Sequence, residues 1–236
     1  MTTILTKQQA PYFWQFDQDC FEDISEVYFT AKYWQTHDAV LGKEHGRGTT
    51  WFIQHQGAQL VLRHYLRGGM MRHVNNDNYL FNSYQKTRSI AEFTILHTLL
   101  KKNLPVPRPA AAQVIKHGLF YQADLLTHKI PDAQDLVQVL HESQSKSFYH
   151  QLGKMIAKFH KQGVFHADLN IQNILQDKQG QFWLIDFDRA RILTPKVKWQ
   201  QSTLSRLKRS FEKEQVRFGI KWSEQNWKEL LQGYQS

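Results

Sequence analysis

Residues 57–69, GAQLVLRHYLRGG, alternate apolar and polar side chains with the two-residue period of a half-buried strand ending at Gly68–Gly69. Over residues 84–102 the period changes. Ile90, Phe93, Leu96, Leu99 and Leu100 fall on one helical stripe, and the prolines of NLPVPRP stop the helix they predict. AAAQVIKHG and LFYQADLLT then read as two strands meeting at Gly118. From residue 132 the character turns helical. PDAQDLVQVLHES predicts a helix opened by Pro131, and SFYHQLGKMIAKFHKQG a second, with Leu152, Met155, Ile156 and Phe159 as its stripe and Gly163 as its stop. NILQ and QFWLIDFD form a hairpin turning at Gly180, and the chain beyond reads as helix. Residues 1–40 are rich in aromatics and give no usable period. The order is α+β, with a strand-rich lobe over residues 1–128 and a helix-rich lobe over residues 129–236.

Composition narrows the partners. A chain of 236 residues with 41% hydrophobic and 13% aromatic content supports a packed core rather than disorder. The formal net charge of +9 favours an anionic partner: a nucleotide, a nucleic acid or an acidic membrane surface. No groove-binding or base-stacking motif accompanies that charge, so a nucleic-acid partner is not expected. Cys20 is the single cysteine, which excludes an intrachain disulfide and fits a reducing compartment. His64/His73 and His117/His128 lack zinc-ligand spacing. The opening MTTILTKQQAPYFWQF lacks the basic-then-apolar order of a signal peptide, and no run of about 18 apolar residues predicts a membrane span. The expectation is a soluble or peripheral protein.

The stretch FHADLNIQNIL, residues 165–175, places polar groups in fixed register among apolar ones. Burying Asp168, Asn170 and Asn173 without partners would cost about 1–3 kcal/mol each, so a purely structural strand is disfavoured. Asp168 follows a helix, Asn173 opens a strand, and Asp186 ends the strand paired with it. The hairpin brings Asn173 and Asp186 together, giving oxygen ligands suited to a hard cation such as Mg²⁺. Asp168 is left to orient a hydroxyl and take its proton.

His166-Ala167-Asp168…Asn173 and Asp186-Phe187-Asp188 resemble the catalytic loop H-R-D-x-x-x-x-N and the D-F-G metal motif of kinases. The resemblance implies a bilobal protein-kinase-like fold that uses ATP and Mg²⁺. Its template gives roles to upstream residues. Arg63 stands where kinases carry the phosphate-binding lysine, with Arg67 as the alternative, and Glu92 on the following helix is the acid that would pair with it. Gly42, Gly46 and Gly48 would cover the phosphates with backbone N–H groups, and the backbone of residues 125–128 would face adenine.

Asp188 in place of the D-F-G glycine, Asn170 in place of the loop lysine, and the lack of an A-P-E segment point away from peptide substrates. Asp188 reads as an additional metal-site acid or as a solvated turn residue. GRGTTWF, VLRHYLRGG, RSIAEF, LPVPRPAAA, YQADLLT, HADLNIQNIL and IDFDRARI together resemble the lipopolysaccharide core kinase family, and within it the 3-deoxy-D-manno-octulosonic acid (Kdo) kinases. What this implies is ATP-dependent phosphorylation of the 4-OH of Kdo on Kdo-lipid A, at the cytoplasmic face of the bacterial inner membrane. Heptose kinases of the family share many of these motifs, and a catalytically dead kinase fold holding an acidic glycolipid is the alternative from another class. Arg189 and Arg191 are candidate contacts to an acidic sugar. Arg206, Arg209 and Lys213, at i, i+3 and i+7, would form one basic helical face toward an anionic membrane, with Leu204, Leu207 and Phe211 on another.

Overall fold

The computed structural model describes residues 3–45, 48–66 and 77–236. The chain forms two compact units, Met1–Thr98 with Pro107–Lys129, and Leu99–Val106 with Ile130–Ser236.

The first unit contains β1 (Ile4–Gln9), β2 (Tyr12–Asp17), α1 (Ala31–Thr36), β3 (Val40–His45), β4 (Thr49–His55), β5 (Ala58–His64), β6 (Tyr79–Leu80), α2 (Arg88–Lys101) except for its last three residues, β7 (Pro109–His117) and β8 (Phe120–His128). The described strands make one antiparallel sheet in the order β1-β2-β7-β8-β5-β4-β3, with β6 added to β8. The unassigned N-terminal stretch supplies much of its core. Trp14, Phe16, Phe21, Ile24, Phe29 and Trp34 pack with Ile53, Leu60, Leu62 and Leu126. Alternation failed to reveal β2 because both its faces are covered: Trp14 and Phe16 enter that cluster, while Phe13 stacks on Tyr84 at 4.2 Å.

One row of polar side chains crosses four strands. Trp14 Nε1 donates to Gln113 Oε1 (2.8 Å), Gln113 Nε2 donates to Asp124 Oδ2 (3.1 Å), and Asp124 Oδ1 meets His64 Nδ1 at 2.7 Å. These residues are directly paired in the ladder, so the row pins the register of β5. Side chains alternate, so Arg63 projects from the face opposite His64.

The second unit contains β9 (Gln134–Asp135), α3 (Leu136–Val139), α4 (Lys146–Lys161), β10 (Val164–Phe165), β11 (Ile174–Gln176), β12 (Phe182–Leu184), β13 (Arg191–Ile192), α5 (Val197–Phe218) and α6 (Glu224–Gln235). The helix expected from Pro131 is not formed. Gln134 and Asp135 pair with β11 instead, and Asp135 Oδ1 accepts from Gln138 N (2.9 Å) to cap a single turn. Residues 99–106 belong here because their carbonyls are used here: Pro105 O accepts from Leu184 N (3.0 Å) and Asn103 O from Lys158 Nζ (2.7 Å).

Helices α4 and α6 approach backbone to backbone. A Cβ on Gly153 would lie 2.0 Å from Leu230 O, and one on Gly233 would lie 1.9 Å from His150 O. His160 of α4 ties the bundle together through Tyr234 Oη (2.8 Å) and Thr203 Oγ1 (3.0 Å). Gly163 ends α4 at φ +77°, where a Cβ would also meet Leu193 O at 2.2 Å. Helix α4 therefore delivers the chain, at a fixed angle, into the stretch that begins at Phe165.

Candidate active site

In the first unit the chemistry gathers around Glu92. It lies on α2, is 3% exposed, and accepts from Arg63 Nη2 and Tyr65 Oη, each at 2.5 Å. Arg63 also donates to Tyr65 Oη at 3.2 Å and lies over its ring, 4.9 Å from the centroid. Burial and the Glu92 carboxylate hold the Tyr65 phenol well above its ordinary pKa, so it remains a donor. Arg88, one turn before Glu92, flanks the same ring at 5.2 Å. A charge-assisted pair of this kind fixes a guanidinium that is otherwise free to swing. Tyr65 and Arg88 are absent from the sequence-level set. Two signals carry them: Tyr65 shares the strand face of Arg63, and Arg88 stands at i−4 from Glu92.

The glycine segment is less of a loop than expected. Gly42 lies within β3, opposite Phe52 at a register shift, because β3–β4 pairing persists as far as His45 and Thr49. Gly48 directly precedes β4, where Thr50 pairs with Arg63. Gly46 and Arg67 lie outside the described residues, as do Gly68–Gly69 and His73. Residues 125–128 do not form an open linker. They are paired with β5 on one side, and residues 125–127 with β7 on the other, since β8 is an interior strand. That leaves their backbone committed to the sheet rather than open toward a base.

In the second unit the quoted stretch is held by its own side chains. Asp168 O accepts from Asn170 Nδ2 and from Asn173 Nδ2, each at 3.0 Å. Asn170 Oδ1 caps the 3-10 turn Ile171–Asn173, accepting from Gln172 N (2.9 Å) and Asn173 N (3.1 Å). Leu169 and Ile171 are buried and anchor the loop from beneath. His166 Nε2 lies 3.0 Å from Ile185 O, immediately before Asp186. Burial lowers the pKa of His166, so the neutral ring donates Nε2–H to that carbonyl. The β11–β12 register continues with Ile185 N donating to Asn173 O at 3.0 Å. Asn173 and Asp186 thus stand on paired segments one residue out of step.

Asp186 adopts φ +62°, a left-handed conformation that Asp tolerates better than most residues. Phe187 is buried, 5.0 Å from His166 and 6.2 Å from Phe159 between ring centroids. Asp188 follows in a turn closed by Ala190 N and Phe187 O (2.9 Å), and Arg189 and Arg191 are exposed.

The donors fit a magnesium ion. Asn173 spends its amide nitrogen on Asp168 O, which identifies Oδ1 as the atom left for a cation. One amide oxygen and one carboxylate are too few for a closed cage, and no group of three or more His, Cys, Asp or Glu able to hold a metal occurs among the described residues. Mg²⁺ commonly binds through one or two protein oxygens while water and phosphate complete its shell.

The basic face expected on α5 is divided. Leu204, Leu207 and Phe211 are buried as a core stripe. Arg206 Nη1, however, donates to Asp168 Oδ1 at 3.2 Å, and Lys213 Nζ lies 3.5 Å from buried Glu214. Helical spacing brings 206, 209 and 213 to one side, but it does not show that a loop 38 residues upstream comes to meet the first of them. Arg206 thus belongs to the surroundings of Asp168 as well as to the exposed side of α5.

An antiparallel-sheet region carrying an Arg–Glu pair, followed by a helical region carrying His-x-Asp…Asn and Asp-Phe-Asp, defines a kinase-like α+β protein. The chain belongs to the lipopolysaccharide kinase (Kdo/WaaP) family, whose model matches residues 31–234. It is 45% identical over 218 residues to the 3-deoxy-D-manno-octulosonic acid kinase of Vibrio parahaemolyticus serotype O3:K6, covering 92% of this chain and 91% of that one. It is 48% identical over 211 residues to the protein of that name from Vibrio cholerae serotype O1, covering 89% of each. A third relative so named, from Haemophilus influenzae (strain PittEE), is 44% identical over 238 residues, covering 97% of this chain and 98% of its own length.

Proposed function

We propose that this chain transfers the γ-phosphoryl group of ATP to the 4-OH of Kdo on Kdo-lipid A. The observation that carries the reading is end-to-end similarity to relatives named 3-deoxy-D-manno-octulosonic acid kinase. In this reading Asp168 orients the acceptor hydroxyl. The acceptor oxygen forms a bond to the γ-phosphorus as the bond to the β–γ bridging oxygen breaks, and the hydroxyl proton passes to Asp168. Arg63, held by Glu92 and Tyr65, grips phosphate oxygens. Asn173 and Asp186 would hold Mg²⁺, which when bound offsets charge on the phosphates. His166 keeps the Asp168 loop and the Asp186 segment at a fixed separation.

Incubation of Kdo-lipid A with the protein and Mg-ATP, followed by mass spectrometry, should show the gain of one phosphate on the Kdo residue. A product phosphorylated only when a heptose-bearing acceptor is supplied would overturn the sugar assignment. No transfer to either acceptor would overturn the enzymatic reading.

The reading includes a peripheral position on the cytoplasmic face of the bacterial inner membrane. No helix among the described residues is long and apolar enough to cross a membrane. The segment 191–198 supports surface contact in place of the α5 face. It is exposed throughout and mixes Ile192 (45%), Leu193 (38%) and Val197 (65%) with Arg191, Lys196 and Lys198. Each Lys near an anionic leaflet contributes about 1 kcal/mol, so Lys196→Ala with Lys198→Ala should weaken binding to anionic vesicles by about 30-fold at low salt. Added salt should narrow the difference. Equal co-sedimentation of parent and variant would remove this segment from the membrane contact.

A further inference from the structure

The loop that carries Asp168 brings no cation of its own. Asn170 occupies the place of the kinase loop lysine, and its side chain is turned inward: both its oxygen and its nitrogen are spent on backbone groups of residues 168, 172 and 173. The cation arrives from elsewhere in the fold. Arg206 Nη1 donates to Asp168 Oδ1 at 3.2 Å, from the middle of α5. One turn further on, Ser210 Oγ accepts from Ile171 N (3.2 Å) while donating to Leu207 O (2.7 Å). Helix and loop are thus joined at two points, and Leu207 and Phe211, both fully buried, hold the helix against the unit.

We infer that Arg206 is a positioning residue for the reaction proposed above, acting through Asp168. A carboxylate on a loop has two oxygens and a freely turning end. A guanidinium fixed to Oδ1 stops that rotation and leaves Oδ2 to receive the acceptor hydroxyl. The ion pair itself is half exposed, with side chains 50% and 42% accessible, so its contribution to folding is small. Its value lies in the orientation of one catalytic group.

The test compares Arg206→Ala, Arg206→Lys and Arg209→Ala with the parent. Arg209 is exposed on the same helix and serves as the control. Arg206→Ala should lower kcat by about 30- to 300-fold, the scale expected from misplacing a catalytic group. KM for ATP and the melting temperature should stay close to parental values. Arg206→Lys should recover part of kcat, because an ammonium restores the charge but not the planar fork. Millimolar methylguanidinium should raise the rate of Arg206→Ala and not that of Arg209→Ala. A kcat for Arg206→Ala equal to that of Arg209→Ala, or a loss matched by a fall in melting temperature without rescue, would overturn the inference. The same comparison read as Mg-ATP hydrolysis, with water as the acceptor, tests Arg206 independently of the sugar. Hydrolysis that depends on Arg206 without transfer to Kdo-lipid A would sink the acceptor assignment alone.

Discussion

Asp168→Asn should reduce phosphotransfer by about a thousandfold, within the range seen for removal of a general base. The substitution keeps the shape of the side chain. It leaves the backbone carbonyl that binds Asn170 and Asn173, and the amide oxygen can still accept from Arg206. What disappears is the group proposed to receive the proton when the acceptor oxygen bonds to phosphorus. A thousandfold loss corresponds to about 4 kcal/mol of transition-state stabilisation. Affinity for Mg-ATP should change little, because Asp168 is not among the residues assigned to the phosphates or the metal. Single-turnover kinetics with Kdo-lipid A, with nucleotide titration in parallel, separate the two effects. A variant that turns over at the parental rate would remove Asp168 from the role of base, and a parallel collapse of nucleotide binding would place it at the metal instead.

The largest stability effect is expected at the crossing of α4 and α6. Propensity alone predicts that Gly233→Ala, inside a helix, stabilises by about 1 kcal/mol. The geometry predicts the opposite sign. The new methyl would sit 1.9 Å from His150 O, and the obstacle is backbone, which no rotamer change can move aside. The helices must separate, and overpacking of this kind costs about 1–3 kcal/mol or more, beyond the propensity gain. At roughly 2–4 °C per kcal/mol for a chain of this size, a fall of about 5–10 °C in melting temperature is expected. Gly153→Ala, which meets Leu230 O at 2.0 Å, should behave alike. A rise in melting temperature in either variant would mean that the helices do not approach as described.

Much of this architecture was legible wherever an element has one wet face. The stripe Ile90, Phe93, Leu96, Leu99 belongs to α2, and Leu204, Leu207, Phe211 to α5, because each helix buries a single side. Strand β2 was not legible, since covering on both faces erases alternation. The helix expected from Pro131 failed because Gln134 and Asp135 are drawn into pairing with β11, a contact some 40 residues away that local propensity cannot register. The candidate site divides along the same line. The spacing from Asp168 to Asn173 to Asp186 could be read because a loop and a hairpin fix it locally. The role of Arg206 could not, because what matters is the group it meets across the fold, Asp168.

The exposed segment 191–198 is fastened along its length. Arg191 and Ile192 pair with Phe165 and Val164, Leu193 N donates to Gly163 O at 2.7 Å, and Trp199 Nε1 donates to Thr194 O at 3.1 Å. Ordering a free loop of this length on contact would cost roughly 1–2 kcal/mol per residue in backbone entropy. Here most of that loss accompanies folding, so an arriving surface meets side chains already displayed. Such a contact can form and dissolve quickly, with no rearrangement of the segment to limit the rate. In the membrane-bound reaction proposed above, with a lipid-anchored product to be left before the next acceptor is found, the enzyme would gain from that speed: brief, repeated encounters at a surface, rather than long residence on it.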